Sequence, residues 1–394
     1  QFIMAGANLS EPDKAQLKKL NEEEAALNTR FANQLLAAAK AASLTIGSKE
    51  ALAGLPDAEI EAAAEAAKKD DEAGKYKLAI INTTQQPALQ SLKDRNTRQQ
   101  LFEHSWTRAE QNDSNDTRSN ILRIAAIRVQ KAKLLGFPVY AAWKLQDQMA
   151  KTPEAVTRFL SQLVPASVKK AAMEAADIRA LIAQEKDTSQ LQPWDWDFYS
   201  EKVRKAKYDM DESQVKPYFV MDSVLENGVF FAANRLYGIT FKERKDIPVY
   251  QEDVRVFEVF DNDGTPMALF YADYFKRDNK RGGAWMSNMV EQSGLLGTRP
   301  VIYNVCNFPK PVKGQPALIS FDDVTTMFHE FGHALHGLFA HQQYPSLSGT
   351  NVARDFVEMP SQFNEHWVLD PIVLKNYAKH YQTGEIIPQI LIDK

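Results

Sequence analysis

The chain has 394 residues, with 47 Lys and Arg against 51 Asp and Glu, for a formal net charge of −4. That length supplies core for two or three domains, and the charge gives neither nucleic acid nor an anionic membrane a reason to bind. Cys306 is the single cysteine, which excludes an intrachain disulfide and leads us to expect a reducing, cytoplasmic setting. No apolar run approaches the roughly 18 residues of a membrane span, and the early charges Glu11, Asp13, Lys14 and Lys18 do not read as a secretory signal. The chain starts at Gln1 and stops inside the apolar-rich run IIPQILIDK, as expected of a piece of a longer protein.

Residues 1–236 are expected to be mainly helical. Ser10-Glu11-Pro12-Asp13 is a helix start with acidic residues in the first turn, and Ala-rich, charged stretches follow whose charges read as solvated faces. Asp70, Asp71 and Glu72 read as a helix end, and Tyr76–Ile81 as a short strand. Pro138, Pro153, Pro165, Pro193 and Pro217 punctuate later helices. The stretch WDWDFY, Trp194–Tyr199, reads as a packed helix start with Asp195 and Asp197 exposed.

The pattern changes in residues 237–394, the expected catalytic region. Val254–Phe260 and Pro266–Tyr271 flank Asp261-Asn262-Asp263-Gly264, a hairpin signal. Val301–Val305 reads as another strand, and with Gly282-Gly283-Ala284-Trp285 this predicts a small sheet. The edge of such a sheet can hold a peptide by strand addition. Asn307–Gln315, with Pro309, Pro311 and Gly314, reads as a loop.

Phe328–His336 carries His329, Glu330 and His333 in the order H-E-x-x-H. On a helix the two histidines share a face one turn apart and can aim ring nitrogens at a single metal ion, with Glu330 beside it as a base. Neutral imidazole pairs suit zinc, and a catalytic zinc takes three protein ligands and keeps a position for water. Ser320 and Asp323 form a capping-box pattern before apolar residues at helical spacing, so the stretch is expected to be helical. Gly332 costs about 1 kcal/mol there relative to Ala, which points to a close packing partner. A third ligand is needed, and Asp355, Glu358 and Glu365 are its candidates. They surround a second predicted helix marked by Phe356, Met359, Phe363 and Trp367. Those the metal does not take are available to accept N–H bonds from the ligand histidines.

The run HEFGHALH, followed after a loop by RDFVEMPSQFNEHW, resembles the thimet oligopeptidase family of zinc peptidases. The longer match, from GGAWM through VIYNVCNFPKP to NEHWVLDP, is similar to its bacterial peptidyl-dipeptidase branch. The resemblance implies a mostly α, zincin-like fold: a two-lobed helical ellipsoid with a deep channel and a small β-sheet beside the HExxH helix. It implies one Zn²⁺ per chain on His329, His333 and Glu358, with Glu330 as catalytic base and Asp355 and Glu365 as supports behind the ligands. His336, in the same run, reads as an outer support, because a fourth protein ligand would close the water position. Short unfolded peptides are the implied substrates, cut to release C-terminal dipeptides. An endo-acting oligopeptidase and a silent peptide-binding fragment are the alternatives, and a monomer is expected. The loop carrying Ser348, Gly349 and Thr350 reads either as a flexible lid over the channel or as a plain interhelical turn. The family places oxyanion-stabilising His and Tyr residues beyond the point where this sequence stops.

Overall fold

Ser10 opens the first helix, Glu11–Ala41, by accepting a hydrogen bond from the Asp13 amide at 3.3 Å. The computed structural model describes residues 2–80, 86–186, 188–209, 212–277, 279–311 and 314–393. Helices dominate, and the chain divides into two compact units: one within Gln1–Gly54, Gly74–Ile80 and Thr84–Ser200, the other within Leu55–Ala73, Ile81–Thr83 and Glu201–Lys394.

In the first unit, β1 (Leu44–Ile46) pairs antiparallel with β2 (Tyr76–Leu78). The strand predicted over Tyr76–Ile81 is thus shorter, and Ile81 lies outside the described residues. Not all helical charges are solvated. Glu24 is buried and takes the Arg128 Nε at 2.8 Å and the Lys131 Nζ at 2.6 Å from helix Arg118–Leu134. The helix start at Trp194–Tyr199 is present, as a 3₁₀ turn Pro193–Asp195 leading into Trp196–Tyr208. Its aspartates are not exposed, however. Asp195 is 1% accessible, and it receives Arg95 at 2.7 Å and Arg98 at 3.0 Å. Asp197 is half-buried, and burial raises its carboxyl above the usual range.

The second unit is built round a five-stranded sheet of β3 (Thr240–Glu243), β4 (Arg255–Phe260), β5 (Pro266–Phe275), β6 (Trp285–Val290) and β7 (Val301–Phe308), in the order β3-β4-β5-β7-β6. The predicted hairpin joins β4 to β5, with Gly264 at φ +83° and its amide on the Asp261 carbonyl at 2.9 Å. β5 and β7 run parallel, and the other pairs are antiparallel. Strand β7 runs two residues into the predicted loop, because Phe308 pairs with Phe275 and its carbonyl accepts the Lys276 amide at 3.0 Å, while the buried Asn307 side-chain amide donates to the Arg281 and Gly283 carbonyls at 2.8 and 2.6 Å. Val312 and Lys313 of that loop lie outside the described residues.

The motif helix, Phe321–Leu338, packs across one face of this sheet. Side chains alternate across a strand, so Ile302, Asn304 and Cys306 face the helix together. Phe331 meets Phe270 ring to ring at 5.3 Å. On the other side, helix Met221–Tyr237 carries a π-helical stretch, Val224–Phe230. Gly228 sits within it where a Cβ would stand 3.0 Å from Tyr377 and 3.3 Å from Phe328. Phe328 and Phe331 are fully buried, so the helix carrying the histidines is gripped on two sides.

Candidate metal centre

The motif helix begins with the expected capping box. The Ser320 hydroxyl accepts the Asp323 amide at 3.0 Å and the Asp323 carboxylate accepts the Ser320 amide at 3.1 Å. Its partner is a short helix, Glu358–Glu365. A Cβ on Gly332 would stand 2.6 Å from the Ser361 Cα and 2.9 Å from the Pro360 carbonyl. The missing side chain therefore lets the two helices touch backbone to backbone, which accounts for a glycine inside a helix. Asn364 donates to the Phe328 carbonyl at 2.7 Å and Asn304 to the Glu330 carbonyl at 2.8 Å, both buried. These amides hold the motif turn from the second helix and from the sheet.

Three of the predicted side chains converge. The Nε2 atoms of His329 and His333 lie 3.2 and 3.1 Å from the same Glu358 oxygen, and one donor atom from each residue falls within 4.8 Å of the others. His329 turns its other nitrogen, Nδ1, to Glu365 at 2.6 Å. That contact makes Nδ1 the donor of the neutral ring and leaves the Nε2 lone pair aimed at Glu358. A lone pair and a carboxylate oxygen at this separation repel unless a cation lies between them. Donors bound tetrahedrally at about 2.0 Å stand about 3.3 Å from one another, close to the separations found. The donor set therefore fits zinc.

Glu330 points into the same region without reaching either histidine by hydrogen bond. It is 6% accessible, and one of its carboxylate oxygens is buried with no partner. Burial pushes its carboxyl up to about 7, the charge of Glu358 adds to the rise, and His329 opposes it. Burial also lowers the His333 and His336 rings below the usual imidazole value.

The remaining predicted residues are placed unevenly. Glu365 supports His329, and Asp355 lies exposed in the turn ahead of the second helix. The His336 ring keeps a buried Nδ1 without a partner. Ser348 is buried and donates to Gln292 at 3.0 Å. Gly349, at φ +55°, packs 3.3 Å from the Gly337 Cα by its absent Cβ, with Thr350 half-buried beside it. These contacts anchor the loop base, and the glycine serves close approach. Sequence reasoning missed Asn304, Ser361 and Asn364. Ser361 donates to both the carbonyl and the carboxylate of Glu358, at 2.8 and 3.1 Å. The signal available was a polar residue three places after Glu358, where a helix returns to the same face.

A half-buried and a buried histidine with a glutamate, on two touching helices and beside an unpartnered acid, form a donor set suited to a metal ion, and the chain belongs to peptidase family M3, whose pattern matches residues 88–394. Among curated relatives, the chain is similar to dipeptidyl carboxypeptidase of Escherichia coli, at 56% identity over the whole chain and 58% of the relative. It is 36% identical to oligopeptidase A of the same species, over the whole chain and 59% of the relative. It is 30% identical to a mitochondrial intermediate peptidase of Neurospora crassa, over 81% of this chain and 45% of the relative. The chain thus spans less than two thirds of the length of the relatives it matches.

Proposed function

We propose that the chain is the zinc-binding part of a metallopeptidase that hydrolyses short peptides. His329, His333 and Glu358 hold the ion, and Glu330 is the general base. The observation that carries this reading is the convergence of two imidazole Nε2 atoms on one carboxylate oxygen, one of them with its ring proton held on the other nitrogen, beside a buried carboxylate with an unpartnered atom. Zinc bound there supplies a Lewis acid for the scissile carbonyl and an acidified water as nucleophile. Glu330 takes the proton of the attacking water and passes it to the leaving amine. Burial raises that carboxyl in the metal-free site, a direction that favours carrying a proton from one group to the other. Glu365 fixes the tautomer and direction of the His329 ring, and Ser361 does the same for the Glu358 carboxylate.

The substrate lies along β6. This strand is at the sheet margin, and among the described residues no strand covers its outer edge. Peptide main chain can complete it without regard to sequence. Release of C-terminal dipeptides is the mode we favour, supported by the likeness to a relative named for it. The test is hydrolysis of one peptide as free acid and as C-terminal amide, with products read by mass spectrometry. We expect a chelator to stop cleavage and zinc to restore it, and dipeptides to come from the acid while the amide is spared. Equal internal cleavage of both forms would favour an endo-acting enzyme. Cleavage indifferent to chelation would remove the metal from the mechanism.

A further inference from the structure

On the face of the sheet away from the motif helix, Tyr303 and Val305 of β7 and Trp285 of β6 border a cavity of about 460 Å³. The opposite face is fixed by Asn304, which reaches the motif backbone, and by Ile302, which packs at Gly337. The cavity is cationic. Its charged walls are Arg277, Lys280 and Arg281 against one carboxylate, Asp273. That carboxylate is already engaged: Arg277 grips both its oxygens at 2.6 and 2.8 Å, Lys280 donates at 2.9 Å, and the Tyr250 hydroxyl at 3.0 Å. Lys280 is saturated by two further carbonyls, at 2.8 and 2.9 Å. Arg281 differs. It is exposed, its guanidinium stands 5.3 Å over the Trp285 ring, and among the described residues it has no carboxylate partner.

We propose that this cavity is a carboxylate-binding subsite for an extended peptide laid along β6, with Arg281 as the anion contact and Trp285 and Tyr303 as walls. The proposal rests on the peptide-binding reading above. A chain added to the edge of β6 lies about 4.8 Å from it and sends alternate side chains to each sheet face. One set falls on the cavity side. An arginine stacked on an indole has its N–H groups held in one plane, which favours bidentate pairing with a carboxylate. The carboxylate comes from an acidic side chain or from the peptide C-terminus, and both present the same two oxygens.

The test is fluorescence anisotropy with metal-free protein and a labelled pentapeptide. The probe is made with Glu or Gln at one position, and each version as C-terminal acid or amide. We expect the charged peptides to bind about 10-fold more tightly than the Gln amide at low salt. That advantage should shrink as salt rises, vanish in Arg281→Gln and return in part in Arg281→Lys. Arg281 is exposed, so both variants should melt with the native protein. An advantage that follows the Glu residue assigns the subsite to a side chain, and one that follows the free acid assigns it to the C-terminus. Equal affinity for charged and neutral peptides, an advantage that survives Arg281→Gln, or no binding at millimolar peptide overturns the proposal. No hydrolysis is read, so a fault in the zinc or Glu330 assignment leaves these ratios unchanged, and a failure here leaves the hydrolytic reading in place.

Discussion

Asp195 and Glu358 are each a carboxylate met by two nitrogen side chains, and they do opposite things. Asp195, in the first compact unit, is buried and faces two guanidiniums. Every partner there brings its own proton, and both guanidiniums bring positive charge, so the group is complete. Glu358, in the second unit, is half-exposed and faces two imidazoles. One of them has its proton directed elsewhere, at Glu365, so the group is incomplete without a cation. A pair of basic neighbours therefore does not by itself distinguish a brace from a metal centre. What distinguishes them is whether the donors supply the protons themselves.

Several substitutions sharpen or break that contrast. The largest effect is expected for Glu330→Gln, which removes the proton acceptor while keeping shape. Peptide hydrolysis should fall by about 10²–10⁴-fold with zinc content unchanged in metal analysis, and substantial residual turnover would remove Glu330 from the base role. Next is Asp195→Asn. It leaves Arg98, 2% accessible, short of its counter-charge and should cost about 3–5 kcal/mol in chemical denaturation, without touching zinc content. Burial alone would raise the Asp195 carboxyl, but hydrogen bonds from Arg95 and Arg98 and from the Gln192 amide outweigh it and hold the carboxyl below the usual range. A depressed folded value means that this stability is present above the unfolded value, about 3.9, and is lost as pH falls through the folded one. The native protein should therefore lose stability below about pH 4 more steeply than Asp195→Asn.

Smaller effects are expected behind the ligands. Glu365→Ala frees the His329 ring and should weaken zinc about 10–100-fold in a chelator competition, whereas Asp355→Ala should weaken it less. The reverse ranking would move the supporting role to Asp355. Smallest is Gly332→Ala. Its Cβ meets backbone of the facing helix at 2.6 and 2.9 Å, an overpacking of about 1–3 kcal/mol that helix propensity offsets by about 1 kcal/mol. A modest drop in melting temperature, together with weaker zinc retention, would show that helix contact sets the ligand spacing.

How much of this was legible in the sequence depended on distance along the chain. The motif helix, its capping box and the close approach at Gly332 follow from residues within a few turns of one another. The β4–β5 hairpin likewise follows from its Asp-Gly turn. The burial of Asp195 did not show, because Arg95 lies 100 residues before it and nothing local marks it as a partner. The parallel pairing of β5 with β7, which brings Asn304 under Glu330, was equally hidden, since strand order is set by tertiary packing. Among the three candidate carboxylates, helical periodicity placed Glu358 and Glu365 correctly relative to each other. Asp355 lies in the turn that leads into that helix, where spacing along the chain does not fix the direction of a side chain.

Zinc content of the purified protein after exhaustive dialysis tests the central claim most directly, measured beside Glu358→Ala. We predict one zinc per chain in the native protein and its near-complete loss in the variant. A native protein that holds no zinc when zinc is supplied, or a variant that keeps its full complement, would contradict it.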